Sequence, residues 1–415
     1  MYDVIILGGG ASGIFTAANI VLLAPKTKVL IIEKSNKLLA KVKISGGGRC
    51  NVTHAEYENK ELIKNYPRGN KALMSVFSRF STYDTIDWFA QQGIELHAEA
   101  DGRMFPTTNT SETIIDCLLK IITKANVEIQ LSTQVTTINI AKNTSLTTLH
   151  NANETILKTK KIVLATGGYA KDENYHWLRQ LGYAVAKPVP SLFTFNIPKQ
   201  AITQLMGVAV SKATVTILNT KTTYTGPVLI THWGLSGPAV IKLSAFDAVA
   251  LSALNYNYTV QVNWLDYLSI DDALALLLEQ KNSNPKKNIY TNIPNFNNSQ
   301  FPKRLWQFLC DASEINERLD YANISKIQAQ KLSTALCAYT LNANGKTTYK
   351  EEFVTAGGVN IDLVDTKTFC SKQHPNLYFA GEVLNVDGIT GGFNFQFAWS
   401  SGYIAAQDIV KMLAV

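Results

Sequence analysis

The sequence predicts an α/β fold whose parallel sheet is assembled from both ends of the chain, with a β-rich and helical stretch inserted between them. Three observations predict it. A short apolar run near the start breaks into spaced glycines and then into a helical pattern. A similar exit from strand to glycine recurs at residues 161–168 and again near residue 380. From about residue 190 to 345 the pattern changes to alternating β-branched and aromatic residues followed by helical segments.

In the opening stretch, Val4, Ile5, Ile6 and Leu7 read as a strand buried on both faces, and Ile14 to Leu23 as an Ala-rich helix. Between them Gly8, Gly10 and Gly13 have the G-x-G-x-x-G spacing, enclosing Ala11 and Ser12. In such a loop the first glycine permits a tight turn, and the second lets a pyrophosphate approach the backbone. The third lets helix and strand pack closely, while the helix N-terminus offers free N–H groups and partial positive charge. The spacing alone is weak evidence, but its context supports it. A second apolar run, Val29 to Ile32, ends in Glu33, 20 residues past Gly13, where a dinucleotide-binding unit carries its ribose-binding carboxylate. An acid at this position argues for an unphosphorylated ribose, hence FAD or NAD over NADP, with Lys34 beside it.

A lysine-bearing link, residues 34–43, leads to Gly46, Gly47, Gly48, Arg49, Cys50 and Asn51. Bare backbone N–H groups flanked by polar side chains suit a flat or anionic ligand. Cys50 reads either as a small buried hydrophobe or as a reactive thiol beside that ligand. Residues 70–125 read as helical, with Phe77, Phe80, Ile86, Trp88 and Phe89 forming a buried stripe. A turn at residues 101–106 introduces a helix near Ser111. Strands follow at residues 127–131 and 134–140, where the backbone of Val135 would edge an adenine. The strand beginning at Lys161 ends in Thr166, Gly167 and Gly168, and open α/β sheets bind ligands at such carboxyl ends.

The domain limits follow from the change of pattern: residues 1–190 plus 346–415 for a discontinuous domain, and 191–345 for the insert. The insert is β-rich to residue 268, antiparallel and barrel- or sandwich-like, and mainly helical from 269 to 345. Within it, His232 and Ser236 occupy a glycine-bearing turn at residues 231–238. Near the end, a strand runs into Gly381 and Glu382. Asp387, Gly392, Asn394, Phe395 and Gln396 then lead into a small-residue helix over 398–408. This is a second glycine-preceded helix N-terminus, suited to negative charge on a ligand's edge.

Composition narrows the class. The chain of 415 residues is long for one core, and its 46% hydrophobic and 17% charged content is that of a globular protein. A net charge of +7 suits an anionic cofactor or RNA without distinguishing them. Five scattered cysteines, none spaced C-x-x-C, argue against a dithiol redox pair or zinc ribbon and for a reducing compartment. With a strand starting by residue 4 and no apolar run of the roughly 20 residues a membrane span requires, a cytoplasmic location is expected.

Together, residues 8–13, Glu33, 45–51, 165–168, 231–238 and 380–396 resemble the BaiN/YhiN-like flavoproteins, also described as aminoacetone-oxidase-type FAD-binding proteins, over nearly the whole chain. The resemblance implies a Rossmann-like, glutathione-reductase-type FAD-binding domain with an inserted β-barrel-like and small helical part. It places the pyrophosphate on the Gly8–Gly13 loop, the adenosine ribose on Glu33 and the Gly46–Asn51 loop near the flavin. Thr166 to Gly168 would line the nucleotide, and Glu382 or Asp387 would reach the ribitol or pyrophosphate. Gly392 to Gln396 would face the pyrimidine edge of the flavin. One segment departs from the family, whose members carry a Pro- and Gly-rich stretch where this chain has residues 169–177. The implied activity is hydride transfer at the flavin, with substrate entering between the FAD domain and the insert. Cys50 and His232 are candidate proton-transfer groups. The readings are reduction of an activated C=C bond (a steroid-like enone or a uracil in ribosomal RNA), oxidation of a small amine such as aminoacetone, or a non-catalytic flavin-bearing RNA-associated protein. Without a second G-x-G-x-x-G unit, NAD(P)H would bind only transiently.

Overall fold

A computed structural model describes residues 1–140, 147–151, 156–296, 301–347 and 354–414. The chain divides into two compact units, Met1–Ser191 with Lys350–Val415, and Leu192–Tyr349.

The first unit is built on a parallel sheet. The strand Tyr2–Leu7 lies at its centre, between Val29–Ile32 on one side and Ile156–Leu164 on the other. Glu128–Gln130 extends the sheet beyond Val29–Ile32, and Leu377–Phe379 extends it beyond Ile156–Leu164. Val4, Ile5 and Ile6 have no exposed surface, as a run with helices on both faces requires. The N-terminal helix Ala11–Leu23 packs against the C-terminal helix Phe393–Leu413 where Gly402 lets them approach. A Cβ there would lie 2.8 Å from Thr16 Oγ1 and 3.0 Å from the Ser12 carbonyl. Phe15 and Trp399 continue the contact with ring centroids 5.0 Å apart. The aromatic stripe over residues 77–89 is core, with Trp88 Nε1 donating to Asn19 Oδ1 at 2.9 Å.

The second unit contains an antiparallel sheet that closes on itself. Its strands run Asn257–Asn263, Ala209–Ile217, Thr222–Thr231, Gly234–Ser236 and Thr194–Asn196 in order of pairing. Tyr339–Asn344 pairs with Asn257–Asn263. After Gly345, at φ +89°, Lys346–Thr347 pairs with Thr194–Asn196. One kinked stretch thus supplies the strands at both ends of this order, the closure that makes a barrel. Helices Ile270–Ser283, Lys303–Ala312 and Lys326–Cys337 complete the unit, two of them opened by capping boxes at Ser269 and Ser325.

Five elements differ from the sequence reading. Residues 101–106 are not only a turn: Arg103–Pro106 is the middle strand of a small sheet with Thr53–His54 and Leu96–Ala98. Of its two partners, Leu96–Ala98 is a hairpin neighbour, whereas Thr53–His54 lies about fifty residues away, beyond local pattern. The lysine-bearing link contains the start of a helix, Ala40–Gly48, which Ser45, Gly46 and Gly47 break. Pro238–Phe246 and Ala248–Ala253 are helices within the β-rich part. The final helix begins at Phe393, five residues before the small-residue run, because Asn394 and Gln396 satisfy their side chains internally.

Candidate functional site

From Tyr2–Leu7 the chain winds to one side of the sheet, through Val29–Ile32 and Glu128–Gln130. It then returns to the other side at Ile156–Leu164. The carboxyl ends of Tyr2–Leu7 and Ile156–Leu164 therefore flank a topological switch point, where such sheets open a crevice.

The glycines at this point divide by what surrounds them. Gly8 has φ +113°, and a Cβ there would lie 2.2 Å from the Ala165 carbonyl oxygen. A Cβ on Gly13 would lie 2.0 Å from the Gly8 carbonyl oxygen. Both glycines are required by packing between strand and helix. Gly10 is different, since a Cβ on it would meet nothing within 4 Å. Ala11–Leu23 starts there with no side-chain cap and no acid in its first turn, so neither offsets the positive end of its dipole. Ser12 is buried in that first turn.

Glu33 stands at the crevice edge, its carboxylate accepting from Gly9 N at 2.7 Å and Ser35 N at 2.8 Å. Its neighbour Lys34 is exposed, with the ammonium 5.3 Å from the Tyr169 ring centroid. The Glu33 carbonyl accepts from Thr133 N at 3.0 Å, which places Val135, at the head of its strand, two residues from this contact. On the opposite side Thr166, Gly167 and Gly168 turn beside Glu382. The Glu382 carboxylate accepts from Thr355 N at 2.9 Å and pairs with Lys41 at 2.7 Å. Gly381 lies against Ser12, which brings the two ends of the chain together, and its N–H donates to Ser401 Oγ at 2.9 Å within the C-terminal end.

The 46–51 loop forms the next wall. Gly46, Gly47 and Gly48 have φ of +58°, +70° and +84°. A Cβ on Gly46 would strike the Phe105 ring, whereas one on Gly47 would meet nothing within 4 Å. Arg49 stacks its guanidinium 3.9 Å from the Phe105 centroid and pairs with Glu99 at 2.6 Å. In the amide orientation that satisfies both partners, Asn51 donates to the Thr53 carbonyl and accepts from Gly392 N, each at 3.0 Å.

Asn51 thereby ties the loop to the second helix N-terminus. Gly392, at φ +97°, passes so near Thr53 that a Cβ would fall 2.4 Å from its carbonyl oxygen. Phe393–Leu413 starts without a side-chain cap or acid in its first turn. Asn394 brackets Gly388, accepting from its N–H and donating to its C=O, both at 2.9 Å. Phe395 stacks on Trp399 at 5.7 Å. The Tyr66 hydroxyl donates to the Phe393 carbonyl at 2.7 Å, and His54 stacks on the Phe393 ring at 4.6 Å.

Several expected side-chain roles change. The Asp387 side chain has no exposed surface and forms a two-pronged ion pair with Arg68. Burial raises its carboxyl and the guanidinium opposes that shift. Asp387 thus anchors the loop from beneath instead of reaching a ligand. Gln396 is also fully buried, accepting from Thr53 and Thr85 at 2.6 and 3.0 Å and donating to Ser400 at 3.0 Å. Cys50 is the buried hydrophobe of the two readings: it has no exposed surface, and burial pushes its thiol up to about 12. Its φ of +61° belongs to the same tight loop. His232 lies exposed in the second unit, edge-on to Trp233 at 4.5 Å, and Ser236 is buried in a strand. Arg68, Tyr66, Lys41 and Glu99 escaped sequence reading because only the folded chain brings them to the glycine loops.

Set beside known proteins, the chain matches the model described as HI0933-like protein Rossmann domain over residues 2–408. It is 31% identical to a ribosomal RNA dihydrouridine synthase of Escherichia coli (strain K12), across 99% of this chain and 98% of that protein. It is 25% identical to a 3-dehydro-bile acid delta(4,6)-reductase of Clostridium scindens, across 97% of each. A solved 3-ketosteroid delta1-dehydrogenase from Sterolibacterium denitrificans aligns with a TM-score of 0.51 at 11% identity over 99% of both chains, a likeness of fold alone.

Proposed function

Because this chain belongs to the HI0933-like Rossmann-domain family, we propose that it is an FAD-dependent oxidoreductase that reduces an activated carbon–carbon double bond, with a uracil in ribosomal RNA as substrate. One observation carries the cofactor reading: two helix N-termini without side-chain caps, each preceded by glycines, come from opposite ends of the chain into one unit, where Gly381 lies against Ser12 and Gly402 against Thr16. The full-length similarity to ribosomal RNA dihydrouridine synthases supports the choice of substrate, and a bile acid reductase among the relatives fits the same class of reaction.

The residues fit FAD. The open face of Gly10 and the N–H groups of Ala11, Ser12 and Gly13 would take the pyrophosphate. Glu33 would hold the adenosine ribose, with Val135 near the adenine. Gly167, Gly168, Gly381 and Glu382 would line the middle of the molecule. The open backbone of Gly47, with Arg49 and Asn51 beside it, would border the flavin. When bound, FAD supplies the two-electron chemistry. The start of Phe393–Leu413, held by Asn51, Tyr66, Asn394 and the Arg68–Asp387 pair, would stabilise negative charge on the bound group.

The purified protein should be yellow. Anaerobic NADPH or NADH should bleach it, while bleaching by aminoacetone with peroxide on re-aeration would instead establish an amine oxidase. Mass spectrometry of ribosomal RNA from a deletion strain should find an unreduced uridine at one position where wild-type RNA carries a nucleoside two hydrogens heavier, and the wild-type gene should restore the heavier form. An unchanged ribosomal RNA rejects this substrate. Glu33→Ala should weaken FAD binding by roughly 10- to 100-fold, the worth of a charged hydrogen bond, as read by flavin fluorescence titration.

A further inference from the structure

The segment that departs from the family, residues 169–177, is folded against the crevice. Gly167, at φ +70°, turns the chain out of the sheet, and Tyr169 follows two residues later. The Tyr169 N–H donates to the Tyr175 hydroxyl at 3.0 Å, and the two rings meet edge-on at 4.9 Å and 82°. Tyr175 is wholly buried, so it is a fixed post for Tyr169. A short helical stretch carries that post, clamped by Arg179, which pairs with the Asp172 carboxylate at 2.6 Å and donates to its carbonyl at 3.2 Å. The Tyr169 hydroxyl interacts with the Thr166 and Trp177 side chains, and Glu33 is among the charges acting on it. Lys34 lies over the ring at 5.3 Å.

Tyr169 is therefore held between the carboxylate-bearing end of Val29–Ile32 and the glycine turn after Ile156–Leu164. A planar, half-buried ring beside Glu33 matches the chemistry of a nucleoside, which offers a flat base and a polar sugar. We propose that Tyr169, braced by Tyr175 and flanked by Lys34, is a preformed wall over the adenosine half of the dinucleotide, so that this chain retains FAD as a resident group. The inference rests on the FAD reading above. Because Tyr175 and Arg179 order the wall in advance, little conformational freedom is lost on binding, which favours affinity.

ADP, which carries only the adenosine diphosphate half, is the discriminating probe. Calorimetric titration of the flavin-stripped full-length protein should find that Tyr169→Ala weakens ADP and FAD alike, by about tenfold. Tyr169→Phe should keep near wild-type affinity, and Lys34→Ala should give a smaller loss of the same kind. Equal thermal midpoints for stripped wild type and Tyr169→Ala would place the loss in binding and not in folding. Unchanged ADP affinity in a folded Tyr169→Ala protein overturns the proposal, whatever FAD does. A wild-type chain that takes neither FAD nor ADP overturns the FAD reading beneath it.

Discussion

Gly13→Val should yield a protein that retains no flavin and unfolds well below the wild-type midpoint. A Cβ at this position would sit 2.0 Å from the Gly8 carbonyl oxygen, and 3.2 Å from the Ala165 side chain. Relief requires Ala11–Leu23 to move off the sheet, exposing Ile14, Phe15, Ala17 and Ala18, none of which has accessible surface. Overpacking of this kind costs roughly 3 kcal/mol, occasionally more. Gly10→Val is the matched control. Its Cβ meets no protein atom within 4 Å, and the residue has φ −84° and ψ −170°, an extended conformation open to other residues. That variant should melt within about 1 kcal/mol of the flavin-free wild type, consistent with a change touching no packed feature, and still lose flavin. Thermal denaturation beside the visible flavin absorbance of each variant would check both halves, and a Gly10→Val protein with normal flavin content would contradict the proposed pyrophosphate position.

The second large effect is expected at Arg68. Arg68→Ala strands the fully buried Asp387 carboxylate without its cation, at a cost of about 3–5 kcal/mol. The damage should reach the site, because the Asp387 loop runs through Gly388, which Asn394 brackets, into Gly391 and Gly392. Adding Asp387→Asn to Arg68→Ala should recover part of the loss, since no charge then remains buried. The pH dependence has a definite sign. Burial raises the Asp387 carboxyl, and removing Arg68 deletes the opposing influence. A carboxyl whose folded value lies above its unfolded value of about 3.9 contributes stability at low pH and loses it as pH rises through the folded value. The gap between Arg68→Ala and wild type should therefore widen from acid to neutral pH in urea titrations. A gap that narrows with rising pH would count against this account.

Much of the site was legible in the sequence because its parts are local. Gly8, Gly10, Gly13 and Glu33 lie within one strand–helix–strand unit, where spacing alone dictates which backbone atoms face the crevice. The parallel strand into Thr166 and the late Gly381–Glu382 turn were legible for the same reason. What escaped depends on distant segments. Arg103–Pro106 reads as a turn until Thr53–His54, far back in the chain, is set beside it. Asp387 and Gln396 looked like ligand-facing polar groups. Their partners Arg68, Thr53 and Thr85 lie more than 300 residues away and claim both side chains for the interior. Cys50 was ambiguous because a pattern gives residue type and not accessibility.

The contact between Ala11–Leu23 and Phe393–Leu413 sets a timetable for synthesis. The glycine loop at residues 8–13 leaves the ribosome first, but the helix that packs beside it and the strand Leu377–Phe379 are among the last segments made. For most of translation the early half must wait with apolar surface uncovered, while Leu192–Tyr349, which holds its own barrel core, is complete before the termini meet. On the proposed reading, coenzyme capture waits until almost the whole polypeptide exists, and a chain cut short near residue 380 should emerge without flavin.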